Sequence, residues 1–238
     1  MEDRQGGAEY RNVASRQLEI VSLRNSQVCA LHNPTLILMP KLLFATTNAH
    51  KTDEVRQILG PDWEIENLRA HPGLPVPDET GSTFEANAII KALSASESLP
   101  GLLVLADDSG LEVDALAGAP GVWSARYAGP EATDADNRER LKSELALLAA
   151  ASPNPVFTGR FRCCMALAKD GLVLSTHFGS VEGCLRLTEQ GEGGFGYDPL
   201  FVPEGFADTF GVLPSEVKNQ LSHRARALAA LTAWLRLQ

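Results

Sequence analysis

No stretch of this sequence stays apolar for the roughly 18 residues that a membrane-spanning helix needs. The nearest candidate, Leu36-Ile37-Leu38-Met39, is cut by Pro40 and Lys41. Cysteine is scarce: Cys29, Cys163, Cys164 and Cys184 form no C-x-x-C pair, and no histidine stands at finger spacing, which argues against a structural zinc site. The four read as reduced thiols of a cytoplasmic protein. Positive charge is in deficit, with 21 Lys and Arg against 30 Asp and Glu, for a formal net charge of -9. A body of that sign repels polyanions, so neither nucleic acid nor an anionic membrane is the expected partner. A small anionic substrate would need a local cationic pocket or a metal ion. The phosphate-loop spacing G-x-x-x-x-G-K is absent as well. What is present is a chain of 238 residues, 44% hydrophobic, enough to bury a core as one domain or as two closely joined lobes.

Residues 1–38 are polar, lack sustained periodicity and carry no apolar centre of a secretory signal. They are expected to be a disordered or loosely attached extension. Met39 is the expected natural start, because the first convincing strand, Lys41-Leu42-Leu43-Phe44-Ala45, follows it at once. After that strand come the polar loop Thr46-Thr47-Asn48-Ala49-His50-Lys51 and a helix over residues 52–59, with Val55, Ile58 and Leu59 at helical spacing. Hydroxyls, an amide and a lysine beside the free N–H groups of a helix start make an anion site, although a capped helix with a solvated Lys51 has the same pattern.

Pro75-Val76-Pro77-Asp78-Glu79-Thr80-Gly81 is an acidic turn, and Ser82-Thr83-Phe84-Glu85 reads as a capping box opening a second helix with Ala86, Ile89, Ile90 and Leu93 buried. Lys91 either lies along the surface or reaches a pocket. Asp78 and Glu79 are placed to offer oxygen ligands to a hard cation such as Mg²⁺, which needs only one or two carboxylates beside phosphate and water. The run Leu102-Leu103-Val104-Leu105-Ala106 then ends in Asp107-Asp108-Ser109-Gly110, a buried strand delivering carboxylates. Side chains alternate along a strand, so the two aspartates face opposite ways and at most one serves a pocket. A surface cap and a catalytic edge both fit this stretch.

A Gly/Pro loop over residues 118–127 leads to a helix starting at Thr133-Asp134-Ala135-Asp136, with Leu141, Leu145 and Leu148 facing the core. The period then changes to two, giving a hairpin over residues 160–174 and a further short strand near Val181; Cys163 and Cys164 face opposite ways and neither reads as a nucleophile. Gly191-Glu192-Gly193-Gly194-Phe195-Gly196 matches G-x-G-x-x-G, but a strand-like Leu200-Phe201-Val202 follows where the dinucleotide fingerprint demands a helix. With Phe195 and Tyr197 it suits a flexible lid over a planar base, or an ordinary glycine turn. A short helix follows Pro214, and Ser222 caps a last one. His223 and Arg224 in its first turn oppose the macrodipole, which calls for an anionic or carbonyl-bearing ligand.

From Lys41 onward these motifs, in this order, resemble the inosine triphosphate pyrophosphatase family, which cleaves nonstandard purine nucleoside triphosphates to the monophosphate and pyrophosphate. The matching stretches are Thr46-Thr47-Asn48-Ala49-His50-Lys51, residues 78–88, Ala106-Asp107-Asp108-Ser109-Gly110-Leu111, Gly118-Ala119-Pro120-Gly121, Gly194-Phe195-Gly196-Tyr197-Asp198-Pro199 and Ser222-His223-Arg224. Two positions depart from the pattern: Thr47 stands where glycine is usual, and Ala86 where a second acid is frequent.

The resemblance implies an α/β fold, an elongated mixed sheet flanked by helices, with residues 39–238 as one catalytic domain of two lobes and the nucleotide in the cleft between them. It implies that Thr46, Thr47, Asn48, Ala49, His50, Lys51 and Lys91 hold the triphosphate, that Asp78 or Glu79 holds Mg²⁺ together with Asp108, and that Asp108 activates water. Ser109 would touch substrate; Phe195, Gly196, Tyr197 and Asp198 would embrace base and sugar; Lys218, His223 and Arg224 would complete the base pocket. A homodimer acting on a small-molecule nucleoside triphosphate is implied too. The chemistry agrees, since hydrolysis between the α and β phosphates needs charge neutralisation and a placed water rather than a covalent nucleophile. Donors facing the purine 6-oxo group would reject adenine. A related pyrophosphatase for modified pyrimidine or methylated nucleotides, and a nucleotide sensor without turnover, are the alternatives.

Overall fold

Six strands, β1 (Lys41–Phe44), β2 (Glu64–Asn67), β3 (Leu103–Val113), β4 (Phe157–Lys169), β5 (Leu172–Leu185) and β6 (Phe201–Pro203), form one mixed sheet in the order β2-β1-β3-β4-β5-β6 in the computed structural model. The structure describes residues 40–151 and 155–238; the expectations for residues 1–38 and for a start at Met39 lie outside them. β1 pairs in parallel with β2 and β3, while β3 to β6 run antiparallel in turn. The parallel pairs require crossovers, which α1 (Ala49–Leu59) and α2 (Phe84–Ser98) supply. The remaining helices are α3 (Asp134–Ala149), α4 (Ser215–Leu221) and α5 (His223–Leu235), and the compact unit that holds the cleft runs to Ala233.

β3 is longer than its apolar run. Asp107, Asp108 and Ser109 lie in mid-strand, opposite Met165, Cys164 and Cys163 of β4, instead of closing it. The ladder to the 13-residue β4 supplies backbone partners across the polar stretch. Gly110 allows the close approach that follows, since a Cβ there would sit 2.4 Å from both the Gly121 carbonyl and Ser124 Oγ. β5 is likewise one strand through Val181, where separate short strands were expected.

The helix faces differ from the periodicity reading in two places. α2 buries Phe84, Ala88, Ala92 and Ala95, and leaves Ala86, Ile89, Ile90 and Leu93 only partly covered. Small alanines let its axis lie close against β3 and β4, so the larger residues flank the contact. Its cap is Thr83, whose hydroxyl accepts from the Ala86 amide at 3.1 Å, and Glu85 accepts from Thr176 of β5 at 2.9 Å instead of closing a box with Ser82. α3 does form a capping box, between Thr133 and Asp136, and buries Leu141 and Leu145, whereas Leu148 is exposed. Ser222 caps α5 through the Ala225 amide.

Two apolar clusters organise the sheet. One gathers Leu43, Val104 and Ala106 of β1 and β3 under the alanine face of α2; the other gathers Leu111, Val113, Phe161, Val181 and Phe201 with Leu141 and Leu145 of α3. β3 belongs to both, and its acidic segment lies between its two contributions.

Candidate active site

A cavity of about 340 Å³ draws its wall from members of both clusters, with Ala45 and Ala95 from one and Phe161 and Tyr197 from the other. Asp108 and Ser109 line it; Asp107 does not. Asp107 is instead held by Lys51, Ser109 and Arg224.

At one end, β1 runs into Thr46, Thr47 and Asn48, which line the cavity with Lys51. α1 starts three residues before the expected position, because Asn48 caps it: its Oδ1 accepts from the Lys51 amide at 3.2 Å, and its own amide donates to Thr46 Oγ1 at 3.1 Å. Two N–H groups expected to await an anion are therefore used within the turn. Ala49 and His50 fall in the first helical turn and outside the cavity wall; the His50 ring stacks on Phe195 with centroids 5.6 Å apart.

Lys91 does reach the pocket. Its Nζ donates to Glu79 Oε1 at 2.8 Å and to Asp108 Oδ1 at 3.2 Å. Burial works against this ammonium, but the carboxylates of Asp108, Asp107 and Glu79 outweigh it and raise its pKa. Asp108 moves upward, because burial prevails over the attraction of Lys91 and Lys51. Its other oxygen accepts from the Asn87 amide at 3.1 Å. Asp107 is held the other way: burial would lift it, but Lys51, Arg224 and Lys91 together keep it far below the usual carboxylate range.

Glu79 and Asp108, from a loop and a strand, thus converge through one oxygen each on the Lys91 ammonium. Two converging hard donors suit Mg²⁺, which takes its remaining ligands from phosphate and water. No group of three or more His, Cys, Asp or Glu that could hold a metal occurs among the described residues, so a metal caged by protein alone does not fit there. Of the two acids offered as ligands, Asp78 is exposed and outside the cavity wall, whereas Glu79 lines it.

At the other end, the Phe195 ring carries Lys218 Nζ 4.6 Å from its centroid, and the Arg224 guanidinium at 5.7 Å. Lys218 donates to Asp198 Oδ2 at 2.5 Å and pairs with Glu54 Oε1 at 2.6 Å. Burial disfavours its charge, and the two carboxylates outweigh that. Arg224 is fully buried; it pairs with Glu54 through Nη1 and with Asp107 through Nη2 at 2.8 Å, and Nη2 also donates to Ser109 Oγ at 3.0 Å. Burial, with Arg224 and Lys218 nearby, holds His223 well below the usual imidazole range, so the ring is neutral; it stacks on Phe161 at 5.0 Å. The start of α5 therefore carries one cation, Arg224, compensated by Glu54 and Asp107, and a ligand is not needed to explain it. What remains is finer: His223 Nδ1 and Arg224 Nε are buried without a partner, and both residues line the cavity.

Of the two readings of the glycine loop, a flexible lid or an ordinary glycine turn, its hydrogen bonds match the turn. Its Gly193 amide donates to the Gly211 carbonyl at 2.9 Å, the Phe195 amide to Asp198 Oδ2 at 2.8 Å, and the Gly196 amide to Asp134 Oδ2 at 2.7 Å. Tyr197 lies in the apolar core, its hydroxyl on the Ser124 carbonyl at 2.9 Å, and so contributes wall, not a mobile stacking ring.

Sequence reasoning missed Glu54, Asn87 and Arg126, whose Nη1 holds Glu79 Oε2 at 3.1 Å. Glu54 carried a usable signal, standing three residues after Lys51 on one face of α1. Asn87 carried another, as a polar residue between the apolar positions of α2. Cys163 and Cys164 are buried, with thiols pushed up by burial, to about 12 for Cys164, which removes both as nucleophiles.

The Ham1 family model matches residues 42–234. A dITP/XTP pyrophosphatase of Desulforamulus reducens is 46% identical over 189 residues, 79% of this chain and 92% of that protein. One of Exiguobacterium sp. is 45% identical over 194 residues, 81% and 95% of the two chains. The solved structure of a HAM1 protein from Coxiella burnetii superposes with a TM-score of 0.72 at 37% identity, covering 84% of this chain and all of the other. With the model spanning most of the sequence and these relatives covered almost end to end, the chain belongs to the Ham1 family.

Proposed function

We propose that the protein hydrolyses noncanonical purine nucleoside triphosphates, inosine, deoxyinosine and xanthosine triphosphates, to the monophosphate and pyrophosphate. The observation that carries this is one cavity with two chemically distinct ends: two lysines beside two converging carboxylates, and an aromatic ring beside buried, unpartnered nitrogens of a histidine and an arginine. The names of the relatives fit the same reaction.

In this reading Lys51 and Lys91 bind the triphosphate with Thr46, Thr47 and Asn48, and Asp108 takes the proton of the attacking water. Its raised pKa suits a base, and Asn87 and Lys91 orient its two oxygens. Mg²⁺ held by Glu79 and Asp108 would neutralise the phosphate charge as it moves to the leaving group. Phe195 stacks on the base, Arg224 Nε–H donates to its 6-oxo group, and Asp198 and Lys218 hold the ring's surroundings. An adenine amino group presented to that same N–H would leave a buried donor unpaired, which costs about 1–3 kcal/mol. The reading includes a cytoplasmic homodimer whose catalytic domain is residues 39–238.

The test is pyrophosphate release from a panel of purine, modified pyrimidine and methylated nucleoside triphosphates, with and without Mg²⁺, on wild type and Asp108→Asn. The expected result is preference for the inosine and xanthosine forms, dependence on Mg²⁺, and a loss of turnover of about 100-fold or more in the variant with nucleotide binding kept. Equal turnover of ATP would exclude the assigned selectivity. Binding without any product would establish a sensor, and a fully active variant would remove Asp108 as the base.

A further inference from the structure

Asp107 is a buried carboxylate at the centre of this site that the reaction as assigned does not use. Its side chain is 1% exposed and holds three groups of the site, Lys51 Nζ on Oδ1 at 3.1 Å, Arg224 Nη2 on Oδ2 at 2.8 Å and the Ser109 hydroxyl on Oδ2 at 3.1 Å, with the Cys163 thiol of β4 at 4.0 Å from Oδ2. Lys51 belongs to the phosphate end and Arg224 to the base end. From Arg224 the same alternation of charge continues through Glu54 to Lys218 and Asp198. Among the described residues, Asp107 is thus the direct ionic link from the Lys51 ammonium to that chain.

We infer that Asp107 is a positioning residue coupling the two ends of the cavity, so that a base seated against Arg224 strengthens the hold on the phosphates through Lys51, and the reverse. This deepens the hydrolase reading and rests on it. A phosphate that draws the Lys51 ammonium away from Oδ1 leaves Arg224 as the cation still hydrogen-bonded to Asp107. The guanidinium is then gripped harder, and with it the orientation of Arg224, a residue of the cavity wall whose Nε is unpartnered. Linkage makes the effect reciprocal: a base that orders Arg224 raises phosphate affinity by the same factor. Hydrogen-bonded charges in a medium of low dielectric constant polarise one another, which is why the link acts over several side chains.

The experiment uses the two halves of the substrate on the full chain. Inorganic pyrophosphate is titrated calorimetrically with and without saturating inosine, and inosine with and without saturating pyrophosphate. In wild type each ligand is expected to tighten the other by about fivefold or more. In Asp107→Asn, shown by its thermal transition to be folded, each should still bind alone while the mutual effect falls to less than about twofold. Lys51→Gln, a change at a partly exposed helix start, gives a second measurement: pyrophosphate binds more weakly and inosine no longer alters it. If Asp107→Asn does not fold, Lys51→Gln decides alone. Coupling that survives in either folded variant, or wild type binding both ligands independently, overturns the inference. Wild type binding neither ligand overturns the hydrolase reading itself.

Discussion

Asn87 shows how a neutral residue can set the behaviour of a charged one. It is fully buried on α2, donates to Asp108 Oδ2 at 3.1 Å and accepts from the Gly81 amide at 2.7 Å. It thereby ties the acidic turn that carries Glu79 to the carboxylate of β3. Groups that orient a metal-binding carboxylate in this way commonly contribute 10–100-fold to activity or metal affinity. Asn87→Ala is therefore expected to lower kcat by about 10-fold to 100-fold with a smaller change in KM, since neither the lysines nor the base end is touched. Steady-state kinetics with inosine triphosphate checks this, and a KM-dominated defect would mean that Asn87 serves binding instead.

At the scale of elements, the contact of α5 with β5 places the base end. Gly179 of β5 faces the helix start so closely that a Cβ there would lie 2.0 Å from the His223 carbonyl and 2.6 Å from the Ala227 amide. Backbone cannot yield as a side chain can. Gly179→Ala should displace the first turn of α5, costing about 1–3 kcal/mol of stability, and raise KM for inosine triphosphate more than it lowers kcat. Urea unfolding and kinetics measure the two effects; unchanged stability would show that the helix is not seated as described. None of this was visible in Gly179 as a letter, because close approach is a property of two segments 44 residues apart from Gly179 to His223. The elements with local signals were legible: β1 from its apolar run, α3 from Thr133 and Asp136, α5 from Ser222. β3 was legible only to its acidic pair, because its continuation depends on the β4 ladder. The alanine face of α2 escaped a periodicity reading that weights bulk, and the charge partners of Arg224 escaped because Glu54 and Asp107 come from distant parts of the chain.

In the cavity of this acidic chain, Lys51, Lys91, Lys218 and Arg224 each pair with carboxylates, and the folding stability of the whole molecule then depends on pH through the buried groups around them. His223 is buried, and burial with Arg224 and Lys218 nearby holds its pKa well below 6.5. His177 is also lowered, by burial. As pH falls through 6.5 the unfolded chain takes up protons at these positions that the folded chain refuses, so stability is complete above that value and is lost below it. The buried His223 contributes a slope of up to about 1.4 kcal/mol per pH unit, and the more exposed His177 less. A second loss begins lower, near the ordinary carboxylate values. Glu54 and Glu79 have depressed pKa values because neighbouring cations outweigh burial, and Asp107 is depressed further, so the unfolded chain is protonated there first. Asp108 and Asp198, raised by burial, act in the opposite sense and blunt this second phase. The two phases separate by mutation. His223→Phe keeps a ring on Phe161 and removes the titrating group, so urea midpoints followed from about pH 7.5 to about pH 5 should flatten by about 1 kcal/mol per pH unit relative to wild type, while the decline near pH 4 persists. A variant that retains the full slope above pH 5 would place the proton-sensitive step elsewhere than at the start of α5.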